Sequence, residues 1–116
     1  AKVPLMAKEK WQQLVDAYVR TRTSLKGLVL VMDIRHPFKA LDVQLLDYCD
    51  HYALPVHLLL NKADKLSNNA IVSVLHNVKT TLAAYRHPIT FQIFSALKGT
   101  GIKELHAVLD KWYGYE

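Results

Sequence analysis

The residues best suited to chemistry are Asn61-Lys62-Ala63-Asp64, which directly follow an apolar run at residues 55–60. The Asp64 carboxylate could accept two hydrogen bonds, from the N1–H and the exocyclic N2–H₂ of a guanine ring, whereas adenine has no such pair of donors. The Asn61 amide could support the loop and reach the base edge, while the Lys62 stem could lie along one face of the ring. This spacing predicts a site that reads a guanine base.

A second tetrapeptide, Ser95-Ala96-Leu97-Lys98, follows another apolar run at residues 91–94. The Ala96 backbone N–H could donate to guanine O6, and Lys98 could cover the other ring face. Ser95 has no G-x-S-x-G context and no evident partner for nucleophilic catalysis, which favours a hydroxyl that fixes the loop. The candidate base-binding residues are Asn61, Lys62, Asp64, Ser95, Ala96 and Lys98.

The sequence lacks the motifs that grip phosphate. It holds four glycines, and no G-x-x-x-x-G-K-[ST] or D-x-x-G string can be written around them. The six histidines show no paired metal-ligand spacing, so we predict no metal site. No catalytic constellation is evident in the sequence, so we predict no catalytic residue either. The base-reading elements are therefore present without the elements that hold phosphate and magnesium.

Composition is that of one ordinary globular domain. The 116 residues are 51% hydrophobic and 22% charged, and no apolar run approaches the roughly 20 residues of a membrane span. A single cysteine, Cys49, fits a reducing cytoplasm, and its place on an apolar stripe predicts a core residue. The net charge of +5 comes from scattered basic residues, which permits contact with RNA without requiring it.

The elements that must position the two motifs alternate between helix and strand. We expect helices over residues 8–22, 41–52, 68–85 and 102–112, with Ser67 as an N-cap, and strands over residues 28–32, 56–60 and 90–94. This order predicts an α/β fold, with a parallel sheet, right-handed crossovers and helices on both faces. Ligands of such sheets sit at the carboxyl ends of the strands, where both tetrapeptides and residues 33–37 fall.

With these residues in view, the chain resembles the YihA/EngB family of GTPases nearly from end to end. The resemblance is carried by Ala1-Lys2-Val3, Leu25-Lys26-Gly27-Leu28-Val29-Leu30, Asp33-Ile34-Arg35-His36-Pro37, Leu41-Asp42, Asn61-Lys62-Ala63-Asp64-Lys65-Leu66 and Phe94-Ser95-Ala96-Leu97-Lys98. Family members commonly carry Thr at the position of Asn61 and a second Ser at that of Ala96. Both departures move toward the general GTPase pattern.

The resemblance implies a P-loop GTPase-like three-layer sandwich truncated to its C-terminal strands and helices. Residues 1–116 would then be the C-terminal part of one GTPase domain, without the P-loop and switch regions. The implied ligands are GTP or GDP, with Mg²⁺ in the full-length protein held by groups outside this chain. By itself the chain would be inactive in hydrolysis.

The resemblance also implies a cytoplasmic role in large ribosomal subunit assembly, with ribosomal RNA precursor as a partner, no membrane, and a requirement in cell division and septation. The alternative is a nucleotide-independent module that binds RNA, the ribosome or a protein. We expect the apolar strand at residues 28–32 to form an uncovered edge that favours self-association or a domain swap. For Arg35 and His36 two interpretations stay open. Functionally they could support the switch segment or contact ribosomal RNA; structurally, Arg35 could tie loop carbonyls and His36-Pro37 could only terminate the strand.

Overall fold

A computed structural model of the chain describes residues 27–114. Three strands form one parallel sheet in the order β1 (Leu28–Asp33), β2 (Val56–Asn61) and β3 (Ile89–Ile93). Helices α1 (Ala40–His51), α2 (Asn68–Leu82) and α3 (Ile102–Tyr113) connect and follow them, with a short 3₁₀ turn at Ala63–Lys65. The predicted parallel α/β fold is thus confirmed, and the helix predicted over residues 8–22 lies outside the described residues.

The middle strand, β2, organises the core. Each residue from Val56 to Leu60 is buried, as expected of a parallel strand covered on both faces. On one face Leu58 and Leu60 pack in a single cluster with residues of α1 and α2, among them Leu46 and Val78. Cys49 belongs to this cluster, which confirms its predicted place in the core.

Helix α3 lies on the opposite face of the sheet. Gln92, whose side chain points to that face, donates to the carbonyl of Gly101 at the start of α3. Near the other end of α3, Gly27 lies so close to the Trp112 ring that an added Cβ would come within 2.8 Å of it. Helices therefore cover both faces, which gives the expected three layers.

The boundaries of α1, α2 and α3 differ from those predicted by at most three residues. Tyr52 is the C-terminal cap of α1, and α2 ends at Leu82, three residues before Tyr85. Tyr85 nevertheless packs against the core, since the chain turns back toward the sheet before Pro88. The predicted cap at Ser67 is confirmed, because its Oγ accepts from the Ala70 N–H at 3.2 Å.

Strand β1 is an edge of the sheet within the described residues, and its Val31 is 53% exposed. Self-association through residues 28–32 stays a prediction. In residues 27–114 no helix combines the length and the apolar character that crossing a bilayer requires.

The turn between α2 and β3 is fastened to α1 by the Asp50 carboxylate. It accepts from the backbone N–H groups of His87 (2.9 Å) and Arg86 (3.2 Å) and contacts the His87 ring at 3.0 Å. Partial burial raises the pKa of Asp50, but these hydrogen bonds outweigh it and leave the pKa below its ordinary value of 3.8. A carboxyl with a lowered folded pKa stabilises the fold above its unfolded pKa and loses that effect as the pH falls through the folded value.

We therefore expect Asp50→Ala to lower the free energy of unfolding at pH 7, and the difference from the unsubstituted protein to shrink as the pH falls below 3.8. Urea unfolding at a series of pH values measures both effects. Asp110→Ala, which removes an exposed carboxylate on α3, is the matched control. A stability difference that is the same at pH 7 and at pH 3 would contradict this assignment.

Candidate functional site

The two tetrapeptides meet at the carboxyl edge of the sheet because β2 and β3 are aligned in parallel. Hydrogen bonds continue past the strand ends, from Phe94 N–H to Leu60 O (2.9 Å) and from Ala63 N–H to Phe94 O (3.1 Å). On the other side Asp33 lies in register with Asn61. The backbone alone therefore brings the three loops after the strands together.

The first loop is shaped by Lys62, which adopts the left-handed conformation with φ of 64° and ψ of 34°. Residues other than glycine rarely adopt this conformation. It starts the 3₁₀ turn, in which the Lys65 N–H donates to Lys62 O at 2.9 Å, and it buries Ala63 while Lys62 and Asp64 stay exposed. The turn thus separates a packing residue from the two candidate base-binding side chains.

The second loop is tied to the first by a side-chain hydrogen bond. Ser95 is 1% exposed, and its hydroxyl donates to Asp64 Oδ1 at 2.7 Å while it accepts from the Lys98 N–H at 3.2 Å. Ser95 and Thr100 also exchange two backbone hydrogen bonds of 3.0 Å, which close the loop. Ser95 thus fixes the loop, as expected, and it orients the Asp64 carboxylate.

The environment of Asp64 keeps its carboxyl ionised. The hydrogen bond from Ser95 is the largest influence on its pKa and lowers it, whereas burial, the next largest, raises it. The backbone N–H of Asp64 itself and the charges of Lys65 and Lys98 lower the pKa further, so that it stays below its ordinary value. An ionised carboxylate is an acceptor with about four lone-pair sites. Ser95 uses one of these, so the group can still accept two further hydrogen bonds.

A second charged cluster joins β1 to the site. The Arg35 guanidinium donates to both oxygens of Asp33, with Nε–Oδ1 of 3.1 Å and Nη2–Oδ2 of 2.9 Å, and Lys62 Nζ lies 3.8 Å from Oδ2. The hydrogen bonds from Arg35 hold the pKa of Asp33 well below its usual range. The Asp33 carboxylate therefore restrains both cations on one side of the site.

These groups surround an open cleft of about 310 Å³, at the lower end of the range of small-molecule sites. Four of the six candidate residues line it, namely Asn61, Lys62, Asp64 and Ala96. Ser95 and Lys98 do not line it and connect to it through the hydrogen bonds above. The Ala96 N–H has no acceptor within residues 27–114, so it is free to donate to a ligand.

Three lining residues were not among the candidate base-binding residues: Arg35, Lys65 and Leu97. Leu97 is 75% exposed and lines the cleft, whereas Lys98, which was predicted to cover one ring face, is not among the lining residues. The available signal was the spacing within Ser95-Ala96-Leu97-Lys98, since Leu97 follows Ala96 directly. For Arg35 the signal was its place after the end of β1, at the ligand-binding edge.

The donor set does not suit a metal ion. Within the described part of the chain, no three His, Cys, Asp or Glu side chains come together as ligands. The two carboxylates at the edge are already bonded, Asp33 to Arg35 and Asp64 to Ser95.

A family model and two solved structures identify the class of protein to which this fold belongs. The family model described as the elongation factor Tu GTP binding domain matches residues 12–114. The crystal structure of translation elongation factor SelB from Methanococcus maripaludis in its apo form superposes with a TM-score of 0.74 at 20% identity, over 100% of this chain and 25% of that chain. The same factor in complex with the GTP analogue GppNHp gives 0.67 at 19% identity, over 78% and 21%. The fold is that of the P-loop GTPases.

Relatives of higher identity then give the family. The probable GTP-binding protein EngB of Coxiella burnetii (strain RSA 493 / Nine Mile phase I) is 47% identical over 100% of this chain and 57% of its own length. The protein of the same name in Stenotrophomonas maltophilia is 47% identical over 100% and 58%, and that of Nitrosomonas europaea 42% over 97% and 51%. The chain belongs to the EngB family of GTP-binding proteins, and it spans just over half the length of these curated relatives.

The hydrogen bond from Ser95 to Asp64 should be detectable in the titration of the Asp64 carboxyl. In Ser95→Ala the pKa of Asp64 should rise toward its ordinary value of 3.8, because the largest cause of its lowering is removed. Carboxyl ¹³C shifts followed against pH by NMR measure this pKa. Ser73→Ala, at an exposed position on α2, serves as the control. An Asp64 pKa that is equal in all three proteins would show that the hydrogen bond does not form in solution.

Proposed function

We propose that residues 27–114 form the guanine-reading part of a GTP-binding domain. The observation that carries the proposal is the Asp64 carboxylate, held by Ser95 at 2.7 Å and set at a cleft between Lys62 and Leu97. Membership of the EngB family and the position of the cleft at the carboxyl edge of the sheet support it.

Each group at the cleft has a distinct part in the proposed recognition. Asp64 accepts from guanine N1–H and N2–H₂, and the Ala96 N–H donates to O6. The Lys62 stem covers one ring face, and Asn61 supports the loop at the base edge. Leu97 covers the second face, since its side chain lines the cleft, whereas Lys98 contributes its backbone N–H to Ser95.

The energies involved suit modest binding of the base. A hydrogen bond to a charged group contributes about 1.5–3 kcal/mol net. Asp64 together with the ring contacts would therefore give binding near the millimolar level, about −4 kcal/mol. Tight binding in this class depends on contacts to the phosphates and Mg²⁺. The described residues would account for the choice of base rather than for most of the affinity.

The role of the native protein is proposed from the resemblance. We infer a cytoplasmic GTPase that uses Mg²⁺ and acts in large ribosomal subunit assembly on a ribosomal RNA precursor, with a consequence for cell division and septation. Residues 1–116 would supply the C-terminal part of its GTPase domain. Hydrolysis would be measured in the native protein, since the residues proposed above concern the base alone.

The alternative, an RNA-binding module that needs no nucleotide, draws on the three basic side chains at the cleft, Arg35, Lys62 and Lys65. Two of them are partly neutralised by Asp33, which weakens this reading. RNA binding that persists without nucleotide and falls linearly in log affinity against log salt would favour it.

The assignment of Asp64 predicts a switch in base preference. Asp64→Asn presents an amide to guanine N1–H, so GDP affinity should fall by about 10- to 100-fold. Xanthosine diphosphate, whose base edge differs at position 2, should gain. Calorimetry on the native protein with GDP, xanthosine diphosphate and ADP measures these changes, and Asp110→Asn controls for loss of a surface charge. A ratio of GDP to xanthosine diphosphate affinity that stays unmoved would refute the base-reading assignment.

The adjacent residues Leu97 and Lys98 provide a second, matched comparison. If Leu97 covers the base, Leu97→Ala should weaken GDP binding about fivefold, because the ring loses roughly 1 kcal/mol of apolar contact. Lys98→Ala should change the affinity less, since its backbone N–H to Ser95 is kept. Calorimetric titration with GDP measures both affinities. A larger loss of GDP affinity in Lys98→Ala than in Leu97→Ala would show that Lys98, and not Leu97, covers the second face of the ring.

A further inference from the structure

A buried polar network connects the central strand β2 to the end of the second loop of the site, residues 95–101. His57, on the central strand β2, is 3% exposed. Its Nδ1 lies 2.6 Å from the Thr90 hydroxyl, and its Nε2 lies 2.7 Å from Gln92 Oε1, both on the neighbouring strand β3. Buried polar groups that are fully bonded rigidify their surroundings, and this network has no orphaned side-chain atom within the described residues.

The hydrogen-bond pattern fixes the orientation of Gln92. Its Nε2 donates to two carbonyls, Ile93 O at 3.1 Å and Gly101 O at 2.7 Å, so the amide nitrogen must point toward α3. The amide oxygen then faces His57 and requires a donor there. Neutral His57 must therefore carry its proton on Nε2. Its Nδ1 then accepts from the Thr90 hydroxyl at 2.6 Å, in preference to the longer contact of that hydroxyl with Val56 O at 3.4 Å.

The far end of this network is the end of the base-reading loop. Gly101 follows Thr100, whose backbone pairs with Ser95 and closes the loop. Gly101 has a φ of +86°, and an added Cβ would collide with Ile93 O and the Gln92 amide. The chain is therefore packed against Gln92 at the point where the loop ends and α3 begins.

We propose that His57 and Gln92 are positioning residues for the base-reading loop, defined as residues 95–101. His57 orients the Gln92 amide, Gln92 holds the Gly101 carbonyl, and this contact keeps Ser95 in place to bond Asp64. The inference rests on the proposed function, since it assigns a role to groups that do not touch the nucleotide. It also concerns the loop itself, which can be measured without nucleotide.

The tautomer of His57 is tested first, by ¹⁵N NMR of the unsubstituted protein. The proposal requires a proton on Nε2, coupled across the bond to Gln92. A ring that carries a proton on Nδ1 and none on Nε2 would mean that the Gln92 amide is turned around, and the proposal would be overturned.

The positioning role is tested with Gln92→Met in the native protein, since Met keeps the length of the side chain without its donor. We expect amide hydrogen exchange at Ser95 and Thr100 to quicken and GDP affinity to fall about tenfold. Thr90→Val, which removes the hydroxyl that contacts His57 Nδ1 and Val56 O, should act in the same direction with a smaller change. Val78→Ala, a cavity in the core between α2 and the sheet, controls for a general loss of stability.

The outcomes separate this inference from the proposed function. Faster exchange in the loop and weaker GDP binding in Gln92→Met, with neither change in Val78→Ala, support it. Unchanged exchange, or faster exchange with unchanged GDP affinity, overturns it, whereas the base-reading assignment stands if Asp64→Asn still alters base preference. If Asp64→Asn has no effect either, the proposed function itself fails.

Discussion

The hydrogen bond of 2.7 Å from the Ser95 hydroxyl to Asp64 joins two loops that are 31 residues apart in the chain. Its donor is almost completely buried, whereas its acceptor stands at the surface of a cleft. A buried hydroxyl can hold an exposed carboxylate in one orientation because it has few alternative partners. The remaining features of the site depend on this link, since Asp64 is useful for base reading only if its oxygens face the cleft.

The sheet makes this link possible. Parallel pairing of β2 with β3 brings Phe94 beside the Asn61 loop, and the network of His57 and Gln92 fastens the end of the second loop to the same two strands. Asp33 adds a third restraint from β1, through Arg35 and Lys62. The site is thus held by short polar contacts at the edge of an apolar core, which leaves the cleft open while its walls are fixed.

Much of this arrangement could be predicted from the sequence. The predominantly apolar runs predicted the three strands to within a residue or two, and the tetrapeptides after two of them predicted which loops would meet. Parallel strands place their carboxyl ends at one edge, so that meeting follows from topology alone. The family followed from the strings around Asp33, Asn61 and Ser95, and the relatives agree with it.

Other features depend on side-chain geometry that spacing does not specify. Leu97 lines the cleft and the adjacent Lys98 does not. Which of two neighbouring side chains faces a cleft is not encoded by a loop sequence that lacks regular periodicity. The left-handed conformation falls on a lysine, Lys62, and not on a glycine or asparagine, which would have indicated it in the sequence. His57 lies on β2, whereas Thr90 and Gln92 lie on β3, so their contact requires the strand register, which the apolar pattern of the sequence leaves undetermined.

The central claim is that this chain distinguishes guanine from adenine at the cleft between Lys62 and Leu97. It is tested most directly by titrating the ¹⁵N-labelled chain with GMP and, separately, with AMP while the backbone amides are followed by NMR. The account predicts saturable shifts at millimolar GMP for Asp64, Ala96 and their neighbours, and much weaker shifts with AMP. Equal responses to the two nucleotides, or shifts confined to residues away from the cleft, would contradict it.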